Sequence, residues 1–167
     1  MLNRQVLIIV AVALIAPVVS ACGDDDEAKT PSQALTPREA YARQGDVICT
    51  RLQRELAPLR DAPADREAVA KAAGAVLPAF ERAEASFKQM ATPPGDSIPV
   101  LAFVFGFADQ IVTLNNYRRG VQDEEEDLLR GSISQFPALA HRQEQNAQRY
   151  GLKVCSDLGV AGITLPN

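Results

Sequence analysis

The chain contains no tryptophan, one histidine and two methionines, and aromatic residues make up only 5% of its 167 positions. A lone histidine excludes any histidine-rich metal centre and any catalytic scheme that needs two imidazoles. His141 stands three residues before Glu144, the reverse of the Glu-x-x-His order of di-iron bundles, and reads as a solvated surface residue. Phosphate loops and dinucleotide fingerprints are also missing. Gly131-Ser132-Ile133-Ser134 lacks the second glycine of a nucleophile elbow. These absences point away from an enzyme and predict neither a metal nor a cofactor. Positive charge is scarce as well: 17 Lys and Arg face 21 Asp and Glu, for a net charge of −4. Without a basic stripe, nucleic acid is excluded as a partner. The acidic run at 123–127 has neither the spaced ligands nor the central glycine of a calcium loop, and suits a helix start instead.

The longest uncharged apolar run lies at the front. After Met1-Leu2-Asn3-Arg4, the stretch from Val6 to Val19 carries no charged side chain. At about 14 residues it is short of the ~20 a spanning helix needs. A basic start, a short apolar run and then small residues form the pattern of a secretory signal peptide, here residues 1–21. An uncleaved signal anchor is the alternative.

Val19-Ser20-Ala21-Cys22 resembles the lipobox of bacterial lipoproteins, with Val19 where that family prefers Leu. The resemblance covers residues 1–22. It implies a diacylglyceryl group on the Cys22 thiol and cleavage at its amino side, so that the membrane is a partner through lipid on Cys22. Two or more acyl chains anchor stably where one does not. Such a cut removes 21 of 167 residues, leaves 146, and takes the charge to −5 by removing Arg4. A chain of that size buries roughly 70% of its unfolded surface, enough for a core without a metal. Residues 22–35, led by Gly23-Asp24-Asp25-Asp26-Glu27, have little to bury and read as a flexible acidic tether.

Residues 36–167 form the expected domain, and composition without tryptophan but rich in Ala and Arg favours helices. Thr36-Pro37-Arg38-Glu39 is a capping-box start. Tyr41, Ile48, Cys49, Leu52, Leu56 and Leu59 then recur at helical spacing to about Arg60, with a fray or bend at Pro58. Asp65 caps a second helix whose stripe is Val69, Ala73, Val76, Phe80, Ala83, Phe87 and Met90, with a kink at Pro78. The Pro93-Pro94-Gly95 turn ends it. A third helix from about Ile98 to Arg119 has so wide an apolar face that it is expected to be the most buried element, with Gly120 as its stop. A fourth opens on the acidic run, continues through Leu129, Ile133, Phe136, Ala140, Ala147 and Tyr150 with a kink at Pro137, and is capped by Gly151. The tail to Asn167 reads as irregular chain laid over the bundle. The expected fold is all-α, an up-and-down four-helix bundle with a disulfide-pinned irregular C-terminal tail.

With Cys22 committed to lipid, Cys49 and Cys155 remain as an even pair in an oxidising compartment and are expected to bond. The whole arrangement is similar to small alanine-rich helical lipoproteins of actinobacteria, which have a cysteine in the first helix and a Tyr-Gly-Leu-x-x-Cys end. Here those positions are Cys49 and Tyr150-Gly151-Leu152-Lys153-Val154-Cys155. That resemblance adds no functional residues.

Phe103, Phe105, Phe107 and Tyr117 are the candidate ligand or partner face. Three phenylalanines at alternate positions cannot all point one way in a helix, so at least one is expected to meet the tail, a partner or a ligand. The expected function is a non-enzymatic interaction or envelope protein, lipid-anchored at the extracytoplasmic face of the cell membrane, with an unknown protein or small-molecule partner. The alternative is a small-ligand or lipid-binding module using the aromatic face of the third helix.

Overall fold

A computed structural model of the protein describes residues 34–167. The signal peptide, Cys22 and nearly all of the tether lie outside them. Residues 34–167 form one compact unit with four long helices and no strand among the described residues. The first, α1, is Pro37–Glu55, begun by the expected capping box: the Thr36 hydroxyl accepts from the Glu39 amide and the Glu39 carboxylate accepts from the Thr36 amide. The Thr36 amide first, and then the Thr36 hydroxyl donating to the same carboxylate, hold the Glu39 carboxyl below its ordinary range.

Instead of running on to Arg60, the helix breaks at Leu56 and resumes as a single turn, α2, Ala57–Arg60. Pro58 is the cause, because it has no amide to offer the Arg54 carbonyl and its ring crowds that oxygen. Next come α3, Arg66–Gln89, capped by the Asp65 carboxylate on the Ala68 amide, and α4, Ser97–Gln122. Helix α5, Glu126–Tyr150, ends on Gly151 at φ 95°, a left-handed cap that glycine adopts without strain. Both α3 and α5 continue through their internal prolines, Pro78 and Pro137.

Gly120 does not stop α4. It sits inside the helix where α5 passes closest, and a Cβ there would come within 2.8 Å of the Leu129 amide nitrogen. Its role is to let two backbones touch, and the helix ends only when the acidic run begins.

Consecutive long helices pack as neighbours: α1 on α3, α3 on α4, α4 on α5. The remaining seam, between α1 and α5, is filled by the C-terminal tail through a short 3₁₀ turn at Cys155–Asp157 that touches both. The tail is thus more than a covering strand. Leu152, Leu158, Val160, Ile163 and Leu165 are all buried with the helical core. Each such side chain contributes up to about 1.5–3 kcal/mol toward the cost of fixing an irregular backbone, ~1–2 kcal/mol per residue, with the disulfide and the helix–tail hydrogen bonds adding to it.

At the centre are aromatic rings. Phe87 stacks on Phe107 at 5.6 Å between centroids and meets Phe103 edge-on at 5.0 Å, and Phe80 and Phe136 are also fully buried. One polar pair interrupts this core, where the Gln110 side-chain amide on α4 donates to the Gln143 carbonyl on α5.

Candidate functional site

The expected disulfide forms. Cys49, two-thirds of the way along α1, and Cys155, in the tail turn, are joined with 5.1 Å between Cα atoms across a sequence separation of 106, and both residues are fully buried. The approach depends on Gly45, one turn earlier in α1, because a Cβ there would lie 2.5 Å from the Leu152 side chain. Beside the disulfide, the Asp46 carboxylate accepts from the backbone amides of Val154 (2.8 Å) and Lys153 (3.2 Å). Charge-assisted bonds of this kind are about twice as strong as neutral ones. The Gln53 side chain donates to the Asp157 carbonyl at 2.9 Å. Farther along, Glu144 of α5 accepts from the Ala161 amide, and the Tyr117 hydroxyl of α4 donates to the Pro166 carbonyl at 3.1 Å. Three helices therefore hold the tail, and sequence pattern marked only the cysteines. Asp46 and Gln53 look like ordinary solvent-facing helix residues, and no local signal separates them from the rest.

The candidate aromatic face divides. Phe103, Phe107 and Tyr117 are core residues with essentially no exposure. Burial, opposed by Arg66 and aided by Asp65, pushes the Tyr117 hydroxyl up to about 12. Phe105 alone points out, 56% exposed, and it has company: Ile98 at 82%, Leu101 at 49% and Val112 at 58% share its side of α4. Steps of 3, 4 and 7 residues put these four on one helical face. Helix α4 is therefore not the most buried element. It buries nine residues, as does the shorter α3, and its second apolar side has no neighbour among the described residues. It is also the one described helix long and apolar enough to cross a bilayer. Its buried half explains part of that composition and the outward face explains the rest.

A second cluster lies at the end of the bundle where the described chain begins. Arg38, in the first turn of α1, places its guanidinium carbon 4.6 Å over the Tyr150 ring and donates to the Arg149 and Tyr150 carbonyls at the end of α5. The Tyr150 hydroxyl donates to the Asp96 carboxylate at 3.0 Å, just before α4, and its ring meets that of Tyr41 edge-on. Asp96 is drawn away from capping α4, which has no side-chain cap. Burial first, then the bond to Asp96, raises the Tyr150 hydroxyl well above its ordinary range, and burial lifts Tyr41 to about 12. The starts of α1 and α4 and the end of α5 are thereby fixed together.

His141 is exposed and pairs with Gln145, while Glu144 is turned to the tail, so the two do not form a ligand pair. Among the described residues, no three metal-ligating side chains come together. A shallow groove of about 770 Å³ between α3 and α4 is lined by Asp65, Glu67, Lys71, Arg118 and Glu124, charges of both signs. Among the described residues, the fold and these features define a disulfide-closed helical bundle with an exposed apolar face on α4. No protein-family model, curated protein or solved structure matches the chain.

Proposed function

We propose that the protein is a lipid-anchored extracytoplasmic lipoprotein, held to the cell membrane through acyl chains on Cys22, and that it serves there as a non-enzymatic interaction or envelope protein. The observation that carries this reading is Val19-Ser20-Ala21-Cys22 placed directly behind the apolar run from Val6 to Val19. The Cys49–Cys155 bond supports it independently, since disulfides persist in exported proteins and are rare in the cytosol. Cys22 is then the one cysteine left for lipid. The exposed apolar face of α4 favours a binding role. Replacing Cys22 by Ala and following the protein by palmitate labelling and membrane fractionation tests the anchor. The substituted chain should take no label and keep its leader. Labelling and trimming like the parent would overturn the proposal.

A further inference from the structure

The outward face of α4 is apolar over its first three turns for a reason that the core does not supply. Ile98, Leu101 and Phe105 leave about half or more of their surface in solvent, and the helix carries no charge from Ser97 to Ala108. The first charged residue on that side is Asp109, exposed, about 16 Å along the axis from Ile98 at 1.5 Å per residue. The uncharged surface therefore begins at one end of the bundle and stops about three turns in.

That end is the one where the tether enters. Thr36 opens α1, Arg38 rests on Tyr150, Tyr150 is bonded to Asp96, and Ile98 lies two residues beyond. Leu35, exposed at the very start of the domain, adds an apolar side chain there. The 13 residues between Cys22 and Thr36 span at most ~45 Å even when fully extended. Lipid on Cys22 thus holds the bundle by this end and keeps it near the bilayer at high effective concentration.

We propose that the face formed by Ile98, Leu101 and Phe105 docks on the lipid surface that carries the anchor, with these side chains in the headgroup–acyl boundary and Asp109 left in water. This rests on the anchor reading above. An interfacial helix buries its apolar side about 5–10 Å deep and keeps its charges out, which is the division that α4 presents. Docking turns a domain on a string into one with a fixed orientation, its acidic far end and the groove between α3 and α4 directed away from the membrane.

The absence of tryptophan supplies the probe. Phe105→Trp places a single fluorophore on the face, and Val47→Trp places one on α1, at a residue 69% exposed. Each full-length lipidated protein is reconstituted in phosphatidylethanolamine–phosphatidylglycerol vesicles with and without brominated acyl chains. Docking is read as loss of most of the emission at position 105, little loss at 47, and recovery at 105 when Leu101→Glu is added, while all proteins still float with the vesicles. Flotation with no quenching at 105 overturns docking and leaves the anchor standing. A blue shift at 105 that grows with protein density, without quenching, means that a second copy covers the face and also overturns it. Failure to float, with no lipid mass on Cys22, overturns the anchor and the docking together.

Discussion

The C-terminal tail and the front half of α4 have exchanged the places their compositions suggest. The tail has three glycines between 151 and 162, a proline near its end and no regular structure beyond one 3₁₀ turn, yet its aliphatic side chains are sealed in the core. The front of α4 is the most apolar stretch of the body, yet three of its large side chains, Ile98, Leu101 and Phe105, stand in solvent. Burial follows from which seam remains open once the helices pack. Helix α4 lies between α3 and α5 and has two neighbours to satisfy one face. The gap between α1 and α5 had none, and the tail closes it with backbone bonds to Asp46 and Gln53 and a disulfide to Cys49.

The largest effect that sharpens this contrast comes from cutting the disulfide. Replacing Cys49 and Cys155 together by Ala should cost about 4–5 kcal/mol on the chain-entropy account of a loop near 100 residues, read as a lower melting temperature and earlier proteolysis near Lys153. A pair of truncations sets the two regions side by side. Leu158→Ala in the tail should cost about 2–5 kcal/mol because it leaves a cavity, whereas Leu101→Ala on α4 should change stability by no more than ~0.5 kcal/mol. Equal losses in denaturant unfolding would erase the distinction between them. The smallest effect is in alkali. All three tyrosines are buried in the body, and two are raised from the ordinary 10 to about 12, the third further. The unfolded chain releases protons near pH 10 that the folded one keeps, so stability is intact below pH 10 and falls as pH rises through about 12. Tyrosinate absorbance should appear together with loss of helix, and an independent titration near pH 10 would contradict these environments.

Much of the fold was legible in local chemistry. The capping box at Thr36, the Asp65 cap, the 3–4 stripe of α3 and the Gly151 terminus are short-range signals, and each helix they mark is present. The disulfide followed from counting cysteines. What failed to show in sequence was whatever depends on a partner distant along the chain. Gly120 looked like a stop because glycine ends helices, and only the passage of Leu129 against it gives it another purpose. Phe105 looked like its neighbours Phe103 and Phe107, since periodicity says that it points away from them but not whether anything waits there. Gln110 and Gln143 sat unmarked in their stripes, because an amide pair across two helices has no local signature. Asp46 serves two tail amides more than 100 residues away, and nothing near it in the chain announces that.

The most direct measurement is the intact mass of the mature protein extracted from its native envelope, taken without reduction and after thiol alkylation. The mature chain is expected to start at an acylated Cys22 and to take up no alkylating reagent until it is reduced, when it takes up two. A chain that still carries its leader, one trimmed without lipid, or one with two thiols open to alkylation before reduction would contradict this expectation.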